Sequence, residues 1–184
     1  MHIAVIARVL GMLLMIFSLT MLSPIIVASI YEENTSSMFV LAFAITLLVG
    51  LTFWLPTKSH RGELRTRDGF VVTVFFWLVL SGFGSLPLML SEATNLAFID
   101  ALFESVSGLT TTGATVLSGL DDLPKSILYY RQQLQWLGGI GIVVIAVAIL
   151  PMLGIGGMQI YRAETPGPVK DSKLTPRIAE TANV

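Results

Sequence analysis

Apolar residues gather in four long stretches of the chain, at about residues 3–30, 38–55, 70–90 and 127–153. Each is close to or above the roughly 20 residues that a helix needs to cross a bilayer core. The pattern predicts four transmembrane helices. Polar segments separate the first three: YEENTSS after the first, and the basic loop PTKSHRGELRTRDG after the second. Pro24 lies near the outer end of the first span, Gly82, Gly84 and Pro87 loosen the third, and Pro151 breaks the end of the fourth.

Between the third and fourth stretches the pattern changes. NLAFIDALFESVS, residues 95–107, sets Leu96, Ile99, Leu102, Phe103 and Val106 at helical spacing, with Asp100 and Glu104 between them. About 13 residues cannot cross a membrane, so this helix is interfacial or re-entrant. Its tip, SGLTTTGATVLSG, is rich in Gly, Ser and Thr.

Composition agrees with the pattern. The chain is 54% hydrophobic and 12% charged, with a mean hydropathy of +0.79. It is expected to be an all-α integral membrane protein in contact with lipid. The first stretch outruns the apolar region of a signal peptide, so it is expected to remain as an uncleaved span. There is no cysteine, which excludes disulfides, thiolate metal sites and thiol nucleophiles. His2 and His60 occupy terminal and loop positions that suggest no metal site. The sequence carries no Walker A, GxSxG, GxGxxG or HExxH pattern. Nothing in it argues for an enzyme or a cofactor.

Charge distribution gives a topology. Arg8, Lys58, Arg61, Arg65, Arg67, Arg162, Lys170, Lys173 and Arg177 fall on one side of the four spans. Lys125 and Arg131 fall on the other, with Glu32, Glu33, Glu92, Asp100, Glu104, Asp121 and Asp122. The basic side, with the N-terminus, is expected to be cytoplasmic. The short helix then enters from outside and returns outside.

Irregular backbone at membrane depth is tolerated only where it is buried in protein or lines a wet cavity. A bare cation can take up carbonyls that no helical ladder satisfies, as in potassium filters. Gly113 supplies the backbone freedom for such a turn. Thr110, Thr111 and Thr112 are expected to stiffen the flanking strand. The C-terminal end of the short helix carries partial negative charge toward the loop, and Asp100 and Glu104 would add to it. Other readings stay open. The Gly/Ser/Thr run is also what a surface loop looks like, and the two carboxylates are also ordinary helix-surface charges or braces for the loop. Bracing is favoured over direct ion contact. Arg131, near the outer end of the fourth span, is expected either to pair with Glu104 or Asp100 or to snorkel to the interface. Gly138, Gly139 and Gly141 are expected to permit close helix packing.

The unit span, short helix, TTTGAT, span resembles the repeat of the Trk/Ktr/HKT potassium transporters. FIDALFESVSGLTTTGAT, YYRQQLQWLGGIGIVVIAVAILPMLGIGGMQIYRAETPGP and GELRTRDGF carry the resemblance, which covers essentially the whole chain. It implies a channel-like pore of four non-identical repeats in one polypeptide, each giving one filter segment. The filter glycine falls on Gly113, and glycine there is associated in the family with potassium passage, serine with sodium. The potassium ligands would fall on Thr111 and Thr112, with the carbonyls of Thr110 and Gly113 nearby. The resemblance also implies a bacterial inner-membrane protein, a homodimer, and a cytoplasmic nucleotide-binding regulatory subunit, TrkA.

On this reading residues 1–56 hold two leading transmembrane helices and residues 57–69 a cytoplasmic basic loop. Residues 70–153 form the first span–pore helix–span repeat, with a filter loop at 108–119, so that the whole chain has four transmembrane helices and one re-entrant pore helix. Residues 154–184 are a cytoplasmic connection toward a second repeat. One TTTGAT is a quarter of a filter. The chain is therefore expected to be a fragment of a longer transporter. A homotetrameric channel subunit and a non-conducting scaffold subunit are the alternatives.

Overall fold

In the computed structural model of this protein, residues 3–58 and 66–149 are described. The chain divides into two compact units, Met1–Gly139 and Ile140–Val184. In the second, the described part is helical as far as Ile149.

All the regular structure among the described residues is helical. Helix α1 (Ile3–Thr20) and the short α2 (Ser23–Ile30) occupy the first predicted span, which is not one continuous helix. Pro24 explains the break. It has no N–H to return to the carbonyl of Thr20 four residues back, and it sits in the first turn of α2, where no such bond is needed. Helix α3 (Ser36–Trp54) is the second span and ends in a 3-10 turn at Leu55–Thr57. Helix α4 (Thr66–Gly84) begins earlier than the predicted third span, and Pro87 opens a separate helix, α5 (Leu86–Leu90). Three stretches are long and apolar enough to cross a membrane among the described residues: Ile3–Ile30, Ser36–Thr57 and Val71–Leu90.

Helix α6 (Phe98–Leu109) is the short helix, 12 residues long and thus about 18 Å. A loop and a 3-10 turn (Leu120–Asp122) lead to α7 (Lys125–Ile149), on which the predicted fourth span falls. Pro151 and the rest of that span, the loop residues His60, Arg61 and Arg65, His2, and the expected connection at 154–184 lie outside the described residues.

Helix α1 packs along α3, and α4 contacts both α1 and α6. The α1–α3 crossing is set by two glycines. A Cβ on Gly11 would lie 2.7 Å from the carbonyl oxygen of Gly50, closer than real contacts allow. Backbone therefore meets backbone, as small residues permit in membrane helices. One apolar cluster joins the leading helices to the rest of the unit: Leu14, Phe17, Phe39, Leu88, Tyr130 and Leu134 are all buried in it.

Candidate filter segment and its supports

Helix α6 is amphipathic in an inverted sense. Ala101, Glu104, Ser105 and Gly108 face the protein and are buried. The large apolar residues Phe98, Ile99, Phe103 and Val106 lie on its exposed side, Ile99 at 76% exposure. Helical spacing of apolar residues announces the helix, yet small and polar residues face inward. Small residues let a backbone approach closely, and here they do. A Cβ on Gly108 would touch Leu134 of α7 at 3.0 Å, and one on Gly138 would collide with the backbone of Leu109. Gly138 is thus a packing glycine, as expected. Thr111 Cγ2 would lie 3.9 Å from a Cβ on Gly139. Gly141 falls in the second unit.

The threonines close the helix instead of starting a strand. Thr110 is the C-cap, and its N–H and hydroxyl both donate to the carbonyl of Val106, each at 2.8 Å. The N–H of Thr111 donates to Gly108 O at 2.9 Å and that of Thr112 to Ser107 O at 2.9 Å. These are the two bonds of a Schellman closure. That closure needs a left-handed residue after the cap, and the residue is Thr111, with φ +56. A β-branched side chain in this region is a genuine outlier, since the left-handed form costs roughly 1–2 kcal/mol for a residue with a Cβ. Gly113 follows with φ +73, where glycine carries no such penalty. The expectation that all three threonines stiffen an extended segment is therefore corrected. The helix end imposes a turn on them, and the chain becomes irregular only beyond it.

This turn has a chemical consequence. Its N–H groups are drawn back to the helix, Gly113 N included, at 3.4 Å from Ser107 O. Among the described residues, no hydrogen bond ends on the carbonyls of Thr110, Thr111, Thr112 or Gly113. Thr110 and Thr112 share a hydroxyl contact of 2.8 Å. All four residues are exposed.

Glu104 holds the limb that returns from Gly113. The Thr115 hydroxyl and the Val116 N–H donate to its Oε1 at 2.5 and 2.7 Å. Its Oε2 accepts from Arg131 Nε of α7 at 3.1 Å. Both members of this ion pair are buried, at 4% and 9% exposure. Arg131 therefore meets Glu104, not the interface and not Asp100. Glu104 is no helix-surface charge, and its charge is matched by Arg131 instead of adding freely to a field on the loop. Asp100 stands apart in the first turn of α6, where a carboxylate complements the positive end of the helix dipole.

Several supports escape the sequence reading. Ser107 donates its hydroxyl to the carbonyl of Ala114 at 2.6 Å, tying the far side of the turn to the helix. Tyr130 donates to the carbonyl of Gly84 at 2.8 Å, beside the α4–α5 break, and stacks edge-on against Phe39 at 5.5 Å. Gln133 donates to the carbonyl of Thr20 at 2.9 Å, the one that Pro24 leaves without a helical donor. A single stretch of α7, YYRQQ, thus grips two helix breaks and the short helix. Its polar character within an apolar span was the available signal. No group of three or more metal-ligating side chains occurs among the described residues.

The profile of the TrkH family, described as Cation transport protein, matches residues 35–184. The chain belongs to the TrkH family. It is 61% identical over 182 residues to the Trk system potassium uptake protein TrkH of Halomonas elongata, covering 99% of this chain and 38% of that protein. Against the TrkH of Escherichia coli K12 the identity is 56%, with the same coverages. A crystal structure of the potassium transporter TrkH from Vibrio parahaemolyticus superimposes with a TM-score of 0.83 at 50% identity, over 100% of this chain and 36% of that one. The chain thus spans little more than a third of the length of these TrkH family members. The family and the apolar helices make it a membrane protein.

Proposed function

We propose that this chain supplies the two leading helices and the first pore repeat of a potassium uptake protein, with residues 110–113 as one quarter of its selectivity filter. The carrying observation is the geometry at the end of α6. Its N–H groups are bonded inward, and the carbonyls of Thr110 to Gly113 accept no hydrogen bond among the described residues. Such carbonyls can replace the hydration shell of a cation. The named activity of the relatives, potassium uptake, agrees with this chemistry.

On this reading K⁺ sheds water at an outer vestibule, is held by carbonyls of Thr110, Thr111, Thr112 and Gly113 and their counterparts in three further repeats, and passes inward down the electrical gradient. The C-terminal dipole of α6 favours it. Glu104 and Arg131 act as braces and not as ligands. Asp100 belongs to the outer surface of α6. The exposed apolar side of α6, Phe98, Ile99, Phe103 and Val106, is the face that further repeats would cover. The same reading includes four membrane spans, α7 being the fourth, a cytoplasmic N-terminus in a bacterial inner membrane, a homodimer, and TrkA as cytoplasmic regulatory subunit. It includes no catalytic step and no cofactor.

The test is Gly113→Ser in a full-length chain carrying these residues. Uptake of K⁺ and Na⁺ is measured in cells lacking other potassium uptake, normalised to the amount of protein in the membrane. The expected result is a reduced preference for K⁺ over Na⁺. An unchanged ratio sinks the filter assignment.

A further inference from the structure

The turn between α2 and α3 belongs to the leading helices, yet its side chains reach the pore repeat. Glu32 turns the chain with φ +54, and the N–H of Glu33 closes α2 on Ala28 O at 2.8 Å. The Glu33 carboxylate then points at the start of α7. Its Oε1 accepts the N–H of Lys125 at 2.5 Å, and its Oε2 accepts the N–H and the hydroxyl of Ser126 at 3.1 and 2.6 Å. Thr35 adds a hydroxyl contact of 2.7 Å to Ser126, whose side chain is fully buried.

A helix start leaves N–H groups without partners, and a neighbouring side chain usually caps them. Here the residue before the helix is Pro124, which has no acceptor side chain. The cap comes from some 90 residues away in the chain. A carboxylate at this end is also favoured by the helix dipole. Burial pushes the Glu33 carboxyl up. The bonds from Ser126 and Lys125, with the charge of Lys125, outweigh this and hold it below the ordinary glutamate range.

The segment that leaves Gly113 ends at this helix start. Near Gly113 it is tied to α6, at Ala114 by Ser107 and at Thr115 and Val116 by Glu104, and its far end is held at Lys125 and Ser126 by Glu33. We propose that Glu33 is a positioning residue of the filter, fixing through Lys125 and Ser126 the outer end of the limb that returns from Gly113. This rests on the reading of residues 110–113 as filter. Glu33 lies in the turn between α2 and α3, so the anchor is a contribution of the leading helices to the pore repeat.

The experiment compares Glu33→Ala, Ser126→Ala and Gly113→Ser in the full-length chain, by K⁺ and Na⁺ uptake per protein in the membrane and by hydrogen exchange of residues 114–126 in detergent. Glu33→Ala, which removes the three bonds to Lys125 and Ser126, is expected to speed exchange in that segment and to lower the ratio of K⁺ to Na⁺ uptake. Ser126→Ala is expected to do the same more weakly, and it decides the matter if Glu33→Ala does not fold. Faster exchange with an unchanged ion ratio, while Gly113→Ser shifts the ratio, makes Glu33 merely structural and overturns the inference alone. An unchanged ratio in Gly113→Ser as well overturns the filter reading and this inference with it.

Discussion

The leading helices and the proposed pore repeat are joined by one apolar cluster, but they hold themselves together differently. Helices α1 and α3 meet through Gly11 and Gly50, backbone against backbone, with apolar residues around them. Helix α6, its loop and α7 are stitched by Glu104, Ser107 and Arg131, and Tyr130 ties α7 to the end of α4, each through a named side-chain hydrogen bond. The difference follows from the backbone. Regular helices satisfy their own N–H and C=O groups, so only close packing is left to specify their contact. An irregular loop must find partners elsewhere. In this unit Gln133, Tyr130 and Ser107 each donate to a backbone carbonyl at or beyond a helix end.

The contrast can be broken most strongly at the buried ion pair. Arg131→Met leaves Glu104 buried and unmatched, and loss of one partner of such a pair costs about 3–5 kcal/mol. Thermal unfolding in detergent is expected to show this loss, and Arg131→Met with Glu104→Gln is expected to recover part of it. No recovery in the double variant would mean that the pair is not what makes Arg131 matter.

Next come the glycines, which test the leading side. Gly50→Ala forces a Cβ to 2.9 Å from Met15 Cγ and 3.0 Å from Gly11 O. It is expected to cost about 1–3 kcal/mol by overpacking, while the K⁺ to Na⁺ ratio stays unchanged. A shifted ratio would show that the two regions are not separable. Tyr130→Phe acts on the other side. It leaves the Gly84 carbonyl buried without its donor, for about 1–3 kcal/mol, again read by thermal unfolding.

The smallest effect concerns acid. Glu33 is held ionised, with its carboxyl below the ordinary range. Its contribution is therefore present at neutral pH. It is lost as pH falls below the ordinary glutamate range and through the lowered value. A cap of this kind is worth about 1 kcal/mol or less at a partly exposed site. The unfolding temperature of the wild type is expected to fall faster below that pH than that of Glu33→Gln.

Much of this was legible in the residues. Apolar run length and helical spacing found the helices, but the break in the first span, expected as one helix, comes at Thr20, the residue whose bond Pro24 cannot supply. The inward face of α6 was not legible from hydropathy. The large apolar residues face outward and the inward ones are mostly small or polar, so that only the spacing of Ala101, Ser105 and Gly108 marks the packed side. Thr111 in the left-handed region was hidden because threonine ordinarily argues for the opposite conformation. The long-range anchors at Glu33 and Gln133 depend on pairings some 90 and 113 residues apart, which local pattern does not carry.

Thr111 has a consequence for how this segment tolerates change. Glycine at that position would relieve the helix end and raise local stability. It would also delete the methyl and hydroxyl that limit where the neighbouring carbonyls can turn. On the filter reading proposed above, selection for a sturdier protein and selection for a discriminating pore therefore pull this residue in opposite directions. A library screened for heat resistance alone would be expected to drift toward glycine at residue 111 and lose ion preference as it did so.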